Sequence, residues 1–127
     1  MPDAAAFAFV KLVVRDVDRV QGFLEKVLGL TAARIIDQET FKEVMLASPG
    51  AEGATPVVLY HSKANPPVTL GDGWGPVGFH VKDVRAIYEL ALSEGGQSVR
   101  APFVFGTSCV AFVSDPEGHQ IELIGPA

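Results

Sequence analysis

Three side chains in this sequence have the chemistry to move a proton, or to hold a developing anion, from strand-like segments: Lys11, His80 and Glu122. An imidazole titrates near neutrality, so His80 could serve as a general base at physiological pH. The Lys11 ammonium could stabilise an anionic ligand or intermediate. A carboxylate such as Glu122, if desolvated and unpaired, would hold a proton firmly enough to act as a base. Each has a plainer reading. His80 could be a hydrogen-bonded structural residue, Lys11 could snorkel to a sheet edge, and Glu122 could be held by an ion pair with Lys11. Tyr60 is more readily a packing residue with a satisfied hydroxyl. The single cysteine, Cys109, excludes an intramolecular disulfide and suits a reducing compartment. It reads as a packing residue rather than a nucleophile.

The elements that position these groups come from a duplication. Val10-Lys11-Leu12-Val13-Val14-Arg15-Asp16-Val17 reads against Val77-Gly78-Phe79-His80-Val81-Lys82-Asp83-Val84 at a constant offset. Both copies run apolar, then basic-Asp-Val, then into an amphipathic helix ended by glycine. Phe7 to Val14 is a strand by composition, with Asp16 as a helix cap. Val17, Val20, Phe23, Leu24, Val27 and Leu28 follow at helical spacing, and Gly29 supplies the left-handed residue after the helix. Leu30–Ile36, Phe41–Ser48 and Pro56–His61 read as three further strands. The second half repeats the order: strand Val77–Val81, cap Asp83, a stripe of Val84, Ile87, Leu90 and Ala91, then strands Gln97–Ala101, Thr107–Ser114 and His119–Ile124. Asp115-Pro116-Glu117-Gly118 is a turn, with proline where φ is restricted and glycine where it can be positive.

The 127 residues suit one compact domain with a real core. A net charge of −5 disfavours nucleic-acid and anionic-membrane partners. No apolar run approaches the roughly 20 residues a membrane helix needs. Met1 to Ala6 lacks the basic region and apolar core of a signal peptide, so the expected address is the cytoplasm.

A paired βαβββ chain with Val14-Arg15-Asp16 and Val81-Lys82-Asp83 resembles the vicinal-oxygen-chelate superfamily of glyoxalases, bleomycin-resistance proteins and dioxygenases. The stretch Ala111-Phe112-Val113-Ser114-Asp115-Pro116-Glu117-Gly118-His119-Gln120-Ile121-Glu122-Leu123-Ile124 is especially similar to the bacterial lactoylglutathione lyases of that superfamily. So is Gly71 to Asp83, around Gly73-Trp74-Gly75. The resemblance runs from Phe9 to Ile124. It implies an α+β fold, a single domain over 1–127. Two βαβββ modules, 7–62 and 76–125, are joined by a linker at 63–75, and their curved mixed sheets enclose a pocket.

Metal-dependent members of the superfamily hold an octahedral divalent ion with four ligands, typically His or Gln, Glu, His and Glu. The ion stabilises an enolate as a proton leaves. The resemblance puts those slots at Phe9, Val58, Pro76 and Glu122, and only Glu122 carries a donor. His80 is four residues beyond Pro76, roughly 13 Å along a strand. His61 should face away from Val58, and His119 sits at a turn. The expectation is no metal and no cofactor. Strand alternation from the slots turns Phe9, Lys11, Val13, Val58, Tyr60, Gly78, His80, Val110, Phe112, Gln120, Glu122 and Ile124 inward. All of these except Gly78 and Ile124 are expected ligand contacts, with Trp74 added as a lid. Phe103 and Phe105 could wall the pocket or an interface.

Three functions follow. The first is a binding module that sequesters a small organic ligand in an apolar pocket without the metal. The second is a metal-independent isomerase, epimerase or lyase in which Lys11, His80 and Glu122 transfer protons. The third is a metal-dependent lactoylglutathione-lyase-like enzyme. Val13 stands where lactoylglutathione lyases commonly carry an arginine, which counts against glutathione recognition. By analogy with the family, a homodimer is the expected assembly.

Overall fold

The structure, a computed structural model, describes residues 3–50 and 55–127; Met1 and Pro2, part of the segment read above for a leader, lie outside them. Module one is β1 (Val10–Val13), α1 (Val17–Leu28), β2 (Thr31–Asp37), β3 (Phe41–Ala47) and β4 (Val57–Ser62). Module two is β5 (Val77–His80), α2 (Val84–Ser93), β6 (Gln97–Phe105), β7 (Ser108–Ser114) and β8 (Gln120–Pro126). Each module folds its own four-stranded sheet, in the orders β1-β4-β3-β2 and β5-β8-β7-β6. In both, the first strand lies parallel to the last and the other pairs are antiparallel. The helix supplies the long connection that a parallel partner requires. The two sheets do not close into a barrel.

Local chemistry starts both helices in the same way. The Asp16 carboxylate accepts from the Arg19 N–H at 3.1 Å, and that of Asp83 accepts from the Ala86 N–H at 3.1 Å. These bonds satisfy backbone donors that the first helical turn leaves without partners. Gly29 ends α1 at φ 68°, a conformation that costs glycine little.

The core lies between the helices and one face of each sheet. Val20, Phe23 and Leu24 of α1, and Val84, Tyr88 and Ala91 of α2, pack with Val44, Leu46 and Leu59 of sheet one and with Ala111, Val113 and Leu123 of sheet two. Cys109 is buried in this core, as expected of a packing residue. Burying one such Leu or Val side chain contributes about 1.5–3 kcal/mol relative to leaving it exposed. The modules meet through α1 and α2. A Cβ added to Gly96 would lie 2.6 Å from the Ser114 carbonyl oxygen and 3.0 Å from the Phe23 ring. Only a hydrogen in that place lets α1 approach the end of α2 so closely.

Two strand boundaries differ from the sequence reading by more than two residues. The first strand begins at Val10 rather than Phe7, because its partner β4 begins only at Val57. Phe7 is left exposed. The strand expected to end at Ala101 continues to Phe105, through register shifts on either side of Arg100. Pro102 is tolerated there because β6 is an edge strand. No helix among the described residues is long and apolar enough to cross a membrane.

Candidate functional site

With one face of each sheet committed to the core, strand alternation leaves the opposite faces free. On sheet one, Val57 and Leu59 face the core, so Val58 and Tyr60 face away, as do Lys11 of β1 and Glu43 and Met45 of β3. On sheet two, Ile121 and Leu123 face the core, so Gln120, Glu122 and Ile124 face away, with His80, Val110 and Phe112. The duplication is exact in register here. Lys11 pairs with Val58 as Gly78 pairs with Glu122, and Val13 pairs with Tyr60 as His80 pairs with Ile124.

The sequence-derived candidates are therefore split between two surfaces. Lys11, Val13, Val58 and Tyr60 share the open face of sheet one, and Phe9, just before β1, lies beside Lys11. His80, Val110, Phe112, Gln120 and Glu122 share that of sheet two. Val58 and Val110 are buried, while Phe9, Val13, His80 and Gln120 are exposed. Lys11, His80 and Glu122, grouped above as one proton-transfer set, are distributed as one residue on the first sheet and two on the second.

The Lys11 ammonium is held by a residue the sequence reading passed over. Its Nζ lies 2.7 Å from Glu43 Oε2, and the two side chains are 43% and 15% exposed. Oε2 is shut off from solvent and has no well-aligned hydrogen bond, so the ammonium supplies its charge partner. The Phe9 and Tyr60 rings lie 5.3 and 5.8 Å from the same nitrogen, within the range of cation–π attraction. Tyr60 stacks in turn on Phe41 at 5.8 Å. The carboxylate partner of Lys11 is thus Glu43 on the same sheet, two strands away, and not Glu122. Alternation outward from the buried pair Val44 and Leu46 is the signal that would have put Glu43 on this face.

A second omission is an arginine in each module. Arg34 pairs with Met45 on edge strand β2, and Arg100 pairs with Phe112 on edge strand β6. Met45 pairs with Val58 and Phe112 with Glu122, so both arginines stand at one register position of the repeat. The Arg100 guanidinium lies 3.6 Å from the centroid of Phe103, which stacks on Phe112. Phe103 is therefore part of this face.

Within the linker, Trp74 does not pack on either face. Trp74 is 93% exposed. Asn65 to Val68 instead line a cleft of about 230 Å³ at the end of sheet one, with Val13, Arg15 and His61. The equivalent end of sheet two has a more open cleft of about 430 Å³, lined by His80, Lys82, Ser108, Ile124 and Pro126.

The donor set does not fit a divalent ion. Val58 stands on sheet one and Glu122 on sheet two, Phe9 and Pro76 immediately precede β1 and β5, and three of these four side chains have no lone pair to offer. Glu122 is flanked across its strands by Gly78 and Phe112, neither of which can ligate. Among the described residues, no three His, Cys, Asp or Glu side chains are placed to share a metal ion.

Comparison with known proteins agrees with the architecture. The family model for the glyoxalase/bleomycin resistance protein/dioxygenase superfamily matches residues 6–123. A probable lactoylglutathione lyase of Synechocystis sp. is 31% identical over 115 residues, covering 87% of this chain and 88% of that protein. The lactoylglutathione lyase of Haemophilus influenzae is 30% identical over 117 residues, covering 89% and 87%. Glyoxalase I from Zea mays superposes with a TM-score of 0.81 at 27% identity, over 94% of this chain and 45% of the longer maize chain. A glyoxalase family protein from Bacillus cereus, 17% identical, matches in fold with a TM-score of 0.86 over 98% of this chain and 96% of its own. This chain belongs to the glyoxalase/bleomycin resistance protein/dioxygenase superfamily.

Proposed function

We propose that this chain binds a small organic ligand on the open faces of its two sheets, without a divalent ion in the family's metal slots. The observation that carries this reading is the slot row itself: Phe9, Val58 and Pro76 make apolar surface where the metal-dependent pattern has donors. Names of relatives weigh toward a lactoylglutathione-lyase-like activity over sequestration. The donor set weighs against running such an activity on a metal. Ligand binding is common to both, and a thiol adduct of an oxoaldehyde is the ligand class to try first.

The metal-independent lyase or isomerase reading is the second. It would need Lys11 to supply positive charge in place of the metal. The Glu43 carboxylate at 2.7 Å already neutralises much of that charge, which favours binding over catalysis. A homodimer is part of the proposal. Phe9, Val13, Trp74 and Phe105 are large apolar side chains left exposed, and a second copy would cover such surface.

The deciding experiment is calorimetric titration with S-lactoylglutathione, together with turnover assays on glutathione plus methylglyoxal. Both are run on chelator-treated and on nickel-loaded protein, with light scattering for the oligomeric state. Binding that survives the chelator, with no turnover, supports sequestration. Turnover that survives the chelator supports the metal-independent enzyme. Turnover that appears only with nickel overturns the metal-free reading.

A further inference from the structure

The two modules are joined by a group of hydrogen bonds where the β1–α1 junction meets the turn between β7 and β8. The Glu117 carboxylate, on the turn between β7 and β8, accepts from two consecutive amides of module one. The Arg15 N–H meets Oε1 at 2.7 Å and the Asp16 N–H meets Oε2 at 2.7 Å. The turn that presents Glu117 is held by Asp115, which is 1% exposed. One Asp115 oxygen accepts from the Glu117 and His119 amides at 2.8 and 3.0 Å. The other lies 2.7 Å from His119 Nδ1. On its far side the same imidazole places Nε2 2.9 Å from the carbonyl oxygen of Val13, back in module one.

Both ring nitrogens of His119 thus face an oxygen that can only accept. A neutral imidazole carries one N–H and could satisfy one of the two; the other contact would set lone pair against lone pair. An imidazolium donates to both. We propose that Asp115, Glu117 and His119 form a proton-controlled clasp between the modules, closed when His119 carries both protons and loosened when it gives one up to solvent. The proton lost leaves the ring neutral, so the bond to Asp115 or the bond to Val13 must open. Because Val13 ends β1 and Gln120 begins β8, the clasp ties the first strand of sheet one to the last strand of sheet two.

The charges around the ring favour the closed state. Burial by itself lowers the affinity of His119 for a proton. The Asp115 hydrogen bond and charge, the Val13 carbonyl and the Glu117 carboxylate outweigh it, so the net shift is upward from the ordinary value of 6.5. Arg15 faces this group from the β1–α1 junction, with Nε 3.8 Å from Glu117 Oε1. Asp16 turns its carboxylate to the Arg19 amide, and the Arg19 guanidinium lies beside Gly95. His61 is a separate contact, with Nδ1 3.1 Å from the neighbouring carbonyl of Val14. The sign follows from the upward shift. The clasp contributes fully below the unfolded histidine value of about 6.5 and is lost as pH rises through the higher folded value.

The test is a proton titration of the intact, isotope-labelled protein by NMR, from about pH 5 to about pH 9, bracketing the histidine range. It follows the His119 Cε1–H and the amides of Arg15 and Asp16, with His61 and His80 resolved as separate resonances. The expected result is a His119 midpoint above 6.5, with both amides moving at that same midpoint. Asp115→Asn should bring the midpoint down. His119→Gln should melt a few degrees below the parent at acidic pH and level with it above the transition. A midpoint at or below 6.5, or amides that ignore the His119 transition, would overturn the clasp; either can be read on the unmutated protein.

Discussion

The two modules share a backbone and differ in what they place on it. On the helix-facing side the copies are alike: Leu59 and Leu123 occupy equivalent positions, both with no exposed surface. On the open side they diverge. Module one carries Lys11 and Glu43 as a pair between aromatic rings. Module two carries Glu122 and His80 with no such pairing among the described residues. A duplicated fold holds its core pattern because every buried position is packed on several sides. A solvent-facing strand surface is under no such constraint, so chemistry can drift there independently in each copy.

The largest effect should come from breaking the shared core. Leu59→Ala and Leu123→Ala should each cost about 2–5 kcal/mol, read by urea denaturation. Equal losses would show that the modules bear equal shares of one cooperative core; a loss confined to one would show that they do not. Next is Asp115→Ala, which leaves the half-buried Glu117 and His119 amides without their acceptor and should cost about 2–3 kcal/mol. That loss should fall on the junction, seen as weaker protection of the Arg15 and Asp16 amides.

A smaller effect is expected on the open faces. Glu43→Gln should change stability by less than about 1 kcal/mol, because the Lys11 left behind is partly solvated, whereas Lys11→Met leaves the enclosed Glu43 oxygen without its charge partner and should cost about 1–3 kcal/mol. Ligand affinity on sheet one should fall by about tenfold, a cost of about 1.4 kcal/mol. Glu122→Gln tests the other face by the same titration. If only one of these substitutions weakens binding, the ligand rests on one sheet; if both do, it spans the two. The smallest effect should be Asp37→Asn. Its bond to Lys63 holds the Asp37 carboxyl below the usual range, so the contribution is present at neutral pH and lost as pH falls through the carboxylate range. Both side chains are substantially exposed, and the melting temperature should stay within a degree or so of the parent.

Much of the architecture could be read from residue order. Period-two alternation around Val57-Val58-Leu59-Tyr60 and Ile121-Glu122-Leu123-Ile124 assigns faces, and Asp16, Asp83 and Gly29 mark helix ends, because these signals depend on neighbours a few residues away. The four slots come from the family resemblance, with Phe9 matched to Pro76 and Val58 to Glu122 across the repeat. Arg34 and Arg100 were open to the same reasoning, being equivalent edge positions of the repeat, but went unnoticed because neither falls within a shared motif.

What only the tertiary structure decided is which of these groups meet. Lys11 finds Glu43 because β1, β4 and β3 lie side by side, an order that no local pattern reveals. Trp74 stays in solvent because the linker lays Asn65–Val68, not Gly73–Gly75, against the sheet. Glu117 reaches Arg15 and Asp16 across about a hundred residues because α1 packs on α2 and brings the turn to the junction. Alternation and capping are properties of a few consecutive residues, and the sequence by itself determines them. Pairing across strands and between modules depends on how whole elements bury their apolar faces together, and that is settled only when the chain has folded.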